Sequence, residues 1–252
     1  MGLLARAGRQ NKALAGRHAL VIGGSGGIGA AMSLQLGAAG AEVVCHGGHS
    51  QERVTATVQA IKSCGGTASG LVQALGSPSD VATMFDRVAT VDILVVAFGP
   101  VHYGSIAETE AEVWTRMVRL NLELPGLATT LVLPGMMERG YGRIVYFGGP
   151  GGDAIHGYKQ IGAYAAAKVG LGVLAKSVAL QAAASNVTAN VIAPGYVDTQ
   201  YLTKRERAAY RNKSPIGQPI VPENLAHFAL SFITQVQPDI NGAVVAFDQG
   251  RA

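Results

Sequence analysis

Two runs in this chain are apolar at every position, ALVI at 19–22 and ILVVA at 93–97. A strand with one wet face alternates apolar and polar residues, so unbroken runs suit a parallel sheet covered by helices on both sides. The rest of the chain repeats the theme. Short apolar runs at 18–22, 42–45, 93–97, 143–147, 188–192 and 243–247 are separated by helical stretches at 28–39, 52–64, 79–89, 110–124 leading on to 137, 164–184 and 222–233. Such alternation predicts βαβ units joined by right-handed crossovers. No shift in composition and no long linker divides the 252 residues. The expectation is one doubly wound, parallel-sheet α/β domain over 15–252, preceded by a flexible tail over 1–14.

Composition excludes several other classes. Hydrophobic residues make up 48% and charged residues 14%, whereas a disordered chain has low hydrophobicity and high net charge. The 34 glycines follow no Gly-X-Y period, so they serve turns and close backbone approaches. The net charge of +4 is scattered, with no run of five like charges, and no nucleic-acid partner is expected. Cys45 and Cys64 form neither a disulfide framework nor a CxxC pattern, so no metal site and a reducing compartment are expected. The first 16 residues carry Arg6, Arg9 and Lys12 without the apolar core of a secretory signal. Gly2 invites a myristoylation reading, but Arg6 stands where that motif wants Ser or Thr. No apolar run approaches the ~18 residues that cross a bilayer, and a cytoplasmic protein with no membrane contact is expected.

The stretch 164–184, YAAAKVGLGVLAKSVALQAAA, is small or apolar on nearly every face. A surface helix shows a polar stripe, so this one is expected to be buried on two sides, by the sheet and by a second copy of the chain. An internal core helix is the simpler alternative.

The segment LVIGGSGGIGAAM at 20–32 reads as a strand, a glycine loop and a helix start. Gly23 permits the tight turn, Gly27 lets the backbone approach a pyrophosphate, and Gly29 allows helix to pack against strand, with Ser25 and Ile28 between them. The N–H groups and positive dipole end of the following helix then face the phosphates. A ligand-free glycine turn is the alternative.

The spacing Gly23-x3-Gly27-Ile28-Gly29 resembles the TGxxxGIG loop of short-chain dehydrogenases/reductases, with Ile22 in place of the usual Thr. Further matches follow in family order. Asn121 in VRLNLEL resembles the active-site Asn, and Tyr164 and Lys168 in AYAAAK match the YxxxK pair. PGYVDT, with Pro194, Gly195, Val197 and Thr199, resembles the stretch that closes over the nicotinamide, and the matches run on to 249. The resemblance implies a Rossmann-type fold and an oxidoreductase that interconverts a ketone and a secondary alcohol. It also implies a homodimer or homotetramer, and cofactor contacts from the glycine loop, Gly99, Tyr164, Lys168 and the PGYVDT stretch.

Tyr164 and Lys168 lie four apart, on one helix face. A free Tyr phenol titrates near pH ~10, and an ammonium beside it is expected to lower that value, suiting Tyr164 as acid/base. By family analogy Asn121 holds a water that relays protons to Lys168; a capping or solvent-facing Asn is the structural alternative.

The departures are informative. The family's active-site Ser falls on Gly149, and no Ser or Thr occurs between Thr130 and Ser177. The loop 149–161 is also about two residues longer than the commonest family spacing. Tyr158, then His156, then Asp153 are the candidates to hold the substrate oxygen, unless the substrate supplies its own hydroxyl. The NNAG stretch is Val96-Ala97-Phe98-Gly99, and the usual Asp near adenine falls at Ala74. At the end of the second run, Cys45-His46-Gly47-Gly48-His49-Ser50 offers no carboxylate for a ribose 2′-hydroxyl. NADP(H) is therefore preferred, with NAD(H) possible, and His46, His49, Ser50 or Arg53 are expected at the 2′-phosphate. The segment 199–213 carries five basic side chains, which read as a solvated helix face or as a welcome for an acidic substrate. The expected partner is a small carbonyl or alcohol; the alternative is a non-catalytic cofactor sensor or scaffold.

Overall fold

Neighbouring residues of the inner strands point to opposite faces, and both faces are dry. In β1 (His18–Ile22) and β4 (Ile93–Val96), Val21, Ile93 and Val95 join one apolar cluster, while Leu20, Ile22, Leu94 and Val96 join the other. The computed structural model describes residues 12–250. Among them, β1 and β4 belong to a seven-stranded parallel sheet with β2 (Glu42–Gly47), β3 (Thr67–Val72), β5 (Gly142–Phe147), β6 (Val187–Pro194) and β7 (Val244–Phe247). The order is β3-β2-β1-β4-β5-β6-β7. Leu20 lies in register with Val44 on one side and Leu94 on the other. One face is covered by α1 (Gly27–Ala38), α2 (Gln51–Ser63) and α8 (Pro222–Thr234), through Met32, Leu36, Ile61 and Phe232. The other is covered by α3 (Pro78–Phe85), α5 (Leu124–Glu138) and α6 (Gly162–Ala182), through Met84, Ala128, Leu171 and Val178. This is the expected doubly wound Rossmann-type fold.

Four expectations are corrected. The edge strand β3 reads TASGLV, and only Ala68 and Leu71 are buried in it; the exposed Thr67 and Ser69, and a glycine at 70 where a Cβ would meet Val54, hide the apolar signal. The tail ends earlier than residue 14, because Leu14 is buried in the core and its N–H bonds Ala39 O at 2.9 Å; the rest of the tail, 1–11, lies outside the described residues. The stretch from 110 to 137 is not one helix. It runs as α4 (Ala111–Val118), a π turn at Arg119–Glu123, and α5. Pro125 has no N–H for the carbonyl of Asn121 and its ring crowds that carbonyl, so the ladder opens there, and Leu124 N–H bonds back to Arg119 O.

The fourth is the expectation that no stretch approaches the length and apolarity needed to cross a bilayer: α6 and the turn that follows it, Gly162–Ser185, together reach it by length and composition. In this chain α6 packs along the sheet with Leu171, Ala175 and Val178 buried. The seven-residue repeat Ala166, Val173 and Leu180 faces outward instead, Leu180 being 89% exposed. One side is therefore covered within the chain and one is left open.

Candidate active site

At the end of β1 the chain turns through the glycine loop into α1. A Cβ on Gly29 would overlap Gly23 O, so only glycine lets α1 cross the loop this closely. Beside it lies a cleft of about 360 Å³ between the carboxyl ends of β1 and β4, touched by Gly23, Ser25, Gly27, Ile28, Gly99 and Thr199. That is the topological switch point, where doubly wound sheets take their ligands. The segment 199–213, which lies over the loop like a lid, bears on it through Gln200, whose Oε1 accepts from Gly27 N–H at 3.0 Å.

His46 braces the loop from beneath. Its Nδ1 accepts from Gly23 N–H at 3.3 Å, so Nε2 carries the proton and donates to Gln73 O at 2.8 Å. Both ring nitrogens are committed and the side chain is buried, which removes His46 from the candidates for a 2′-phosphate. Ser50 caps the start of α2, its Oγ accepting from Arg53 N–H, which leaves its O–H able to donate. His49 is exposed and does not touch the cleft, whereas Gly48 does. Arg53 lies over the Tyr201 ring, 5.5 Å from its centre.

A second cavity, of about 340 Å³, adjoins the cleft through Ile28, Gly99 and Thr199 and is reached by Tyr164, Lys168, Pro194, Gly195 and Val197. Lys168, 5% exposed, donates from Nζ to Phe147 O at 2.9 Å and Phe98 O at 3.3 Å, the residues just beyond β4 and closing β5. Burial pushes its pKa down to about 8. Asn121 is fully buried in the π turn, its Nδ2 donating to Pro100 O and Met117 O, both at 3.0 Å. Its Oδ1 is buried with no hydrogen-bond partner among the described residues. Gly99, at φ +132°, is the meeting point, since a Cβ there would overlap Asn121 Oδ1 and stand 3.3 Å from Lys168 Nζ. Tyr164, Lys168 and Asn121 thus converge, and a capping or solvent-facing role for Asn121 is excluded.

One electrostatic expectation is reversed. The Tyr164 pKa is raised, first by burial and then by the neighbouring Tyr103 and Tyr158 hydroxyls. Lys168 Nζ stands 6.0 Å from the Tyr164 ring centre and bonds carbonyls rather than the phenol, so its charge does not overcome the burial. Gly149 faces the Tyr164 phenol: a Cβ there would lie 3.2 Å from Tyr164 Oη and 2.9 Å from the ring. Of the replacement donors, Tyr158 lines the cavity and donates to Pro150 O at 2.7 Å. His156 and Asp153 are exposed and do not line it. The sequence reading missed Tyr103, Tyr196 and Tyr210, which also line this cavity; Tyr210 lay in a segment read only for its charges.

The short chain dehydrogenase family model matches residues 17–209. The chain belongs to that family. It is an oxidoreductase. The D-beta-hydroxybutyrate dehydrogenase of Rhizobium meliloti (strain 1021) is 32% identical to it over 254 residues, covering 93% of this chain and 98% of its own. Dehydrogenase/reductase SDR family member 4 of Sus scrofa is also 32% identical over 254 residues, covering 96% and 90%. The solved 3-oxoacyl (acyl-carrier-protein) reductase of Agrobacterium tumefaciens C58, with NADP bound, aligns with a TM-score of 0.87 at 28% identity, covering 99% of this chain and all of its own.

The bracing role of His46 predicts a pH dependence of stability. Burial lowers its pKa below 6.5, so the neutral ring's contribution is intact above that value and is lost as pH falls through the lower folded one. His46→Leu strands the Gly23 N–H and the Gln73 carbonyl, at a cost of about 1–3 kcal/mol for each unsatisfied group. Urea unfolding should show the variant less stable at neutral pH, with the gap to the parent shrinking in acid. A gap that stays constant or widens below pH 6 would contradict the assignment.

Proposed function

We propose that the chain interconverts a ketone and a secondary alcohol with NADP(H), Tyr164 passing the proton at the substrate oxygen. The observation that carries this reading is that Tyr164 and Lys168 line one cavity that opens from the glycine-loop cleft, with Asn121 Oδ1 buried behind its wall at Gly99. The residues present fit a dinucleotide: the loop lies at the switch point, the α1 N-terminus faces the cleft, and the Gly29 crossing keeps the backbone close. Gly23, Ser25, Gly27 and Ile28 would hold the phosphates, Lys168 a ribose, and Gly99 with Pro194, Gly195, Val197 and Thr199 the nicotinamide end. When bound, the reduced cofactor supplies a hydride to the carbonyl carbon.

The chain's own part is the proton. Burial keeps Tyr164 in its protonated form, the form that reduction consumes when Oη donates to the carbonyl oxygen. Lys168, tied to Phe98 O and Phe147 O, places a positive charge below the phenol that offsets the phenolate formed. Asn121 Oδ1, unpartnered and buried at Gly99, offers the acceptor that a relaying water needs. Gly149 contributes no hydroxyl, so the substrate oxygen is held by Tyr164, and by Tyr158 if its O–H leaves Pro150 O. The same gap favours the second reading, a non-catalytic cofactor sensor, which steady NADPH oxidation across a panel of ketones would exclude. Tyr164→Phe should lower turnover by about 10²–10⁴-fold, the usual contribution of a positioned acid or base, with cofactor affinity nearly unchanged. Lys168→Met should weaken both. A Tyr164→Phe variant that retains most of its activity would refute the mechanism.

The preference for NADP(H) rests on the end of β2, where no carboxylate stands and where Arg53, the Ser50 O–H and, from outside the cleft, His49 are the candidate donors. Nothing lies within 4 Å of a Cβ built on Gly48, so Gly48→Arg fits there and should raise the NADPH-over-NADH affinity ratio through a charge-assisted contact. Isothermal titration reads that ratio directly, and a parent protein that binds NADH at least as well as NADPH would reverse the assignment.

The outward stripe of Ala166, Val173 and Leu180 on α6 supports assembly as a homodimer or homotetramer through that face. Light scattering at micromolar concentration should show an oligomer that Leu180→Glu weakens; a monomeric parent would refute it.

A further inference from the structure

Five of the chain's eight tyrosines, Tyr103, Tyr158, Tyr164, Tyr196 and Tyr210, line the cavity that holds the reacting phenol. They come from four separate parts of the chain: the loop after β4, the long loop after β5 together with the start of α6, the turn after β6, and the lid helix α7 (Lys204–Lys213). Tyr196 and Tyr210 stack with ring centres 4.1 Å apart and planes 30° from parallel. Tyr210 is also hydrogen-bonded to Tyr103 across the cavity mouth, joining the β4 loop to the lid. Aromatic rings with phenol hydroxyls thus make up a quarter of the residues that line the cavity.

Charge is nearly absent from the same walls. Lys168 is the one charged side chain lining the cavity among the described residues, and its Nζ is bonded to two main-chain carbonyls beneath the phenol. The basic lid does not change this. Arg207 is bound to Asp198 at 2.6 Å, and Lys204, Arg205 and Arg211 are exposed. Lys213, also exposed, stands 6.0 Å from the Tyr196 ring centre without lining the cavity. A carboxylate or phosphate brought against these walls would lose its water and meet no free cation, which is costly. A flat ring would stack on the tyrosines, and its own polar substituents would meet their hydroxyls.

We propose that the substrate is an uncharged ketone or secondary alcohol carrying an aromatic or similarly flat ring, gripped among Tyr103, Tyr196 and Tyr210, and that anionic substrates are rejected. This rests on the reading of Tyr164 as the acid/base. It sets the chain apart from its Rhizobium meliloti relative, whose named substrate, hydroxybutyrate, is a carboxylate. The segment 199–213 then reaches the cavity through Thr199, Leu202 and Tyr210, and none of its basic side chains lines it.

The test compares ketones with the same reacting group: methyl 4-acetylbenzoate, its free acid 4-acetylbenzoate, and the ringless ester methyl levulinate, each followed by NADPH oxidation. The aromatic ester should exceed both others in kcat/KM by at least about tenfold, about 1.4 kcal/mol of transition-state binding. Tyr210→Arg should narrow the gap between ester and acid by raising the rate with the acid. An acid reduced as well as its ester by the parent overturns the exclusion of anions, and a levulinate ester reduced as well as the aromatic one overturns the ring preference. Saturation-transfer NMR on the parent reads binding without turnover. If no ketone is reduced, the proposed function fails, yet binding of the aromatic ester in preference to the acid and to methyl levulinate still supports this pocket chemistry. Lack of that preference refutes it.

Discussion

The chain reverses its direction of winding between β1 and β4, and the groups that matter hang from that reversal. Loops leaving two adjacent parallel strands must part to opposite faces of the sheet, and the space between them cannot be filled by either. The glycine loop borders that space on one side and Phe98-Gly99 on the other. The ends of β4 and β5 then supply the two carbonyls that hold the Lys168 ammonium. Lys168 in turn fixes the face of α6 on which Tyr164 lies, so strand order and the position of the phenol are parts of one constraint.

Dryness is the second theme. The cavity beside Tyr164 is walled by aromatic side chains, and burial moves both members of the Tyr–Lys pair toward their uncharged forms. A phenol with a raised pKa is a weaker acid, but it keeps its proton at neutral pH and so has one to deliver to a carbonyl. Gly149 fits the same picture: it brings no hydroxyl of its own to the phenol, and the Tyr164 ring edge stands against it.

Much of this was legible in residue order, because buried parallel strands and glycine turns leave strong local signals. The glycine loop, the Tyr164–Lys168 spacing and Gly149 all stand where their motifs imply. What escaped depended on contacts between distant segments. β3 was hidden because an edge strand has few buried positions, and TASGLV has two. The π turn at Asn121 follows from Pro125, whose effect reaches four residues back into what otherwise reads as a continuous helix. The Tyr164 pKa moved against expectation because spacing reports which residues share a helix face and says nothing of what else covers them. Tyr103 and Tyr210 are far apart in sequence, and only the closure of the lid against the β4 loop brings them together. His46 was read as a ligand because its position at a strand end is exposed in many such sheets, whereas here the turn carrying Gln73 folds over it.

The Gln200 amide oxygen on Gly27 N–H has a thermodynamic consequence for the glycine loop. A phosphate oxygen arriving at that amide exchanges one acceptor for another, so the loop gains only the difference between a neutral and a charge-assisted hydrogen bond. The displaced lid segment also regains conformational freedom as the ligand loses it. At the proposed cofactor site, affinity for the dinucleotide would then be set partly at residue 200, 173 positions along the chain from the amide it competes for, and the position of segment 199–213 and ligand occupancy would be linked reciprocally.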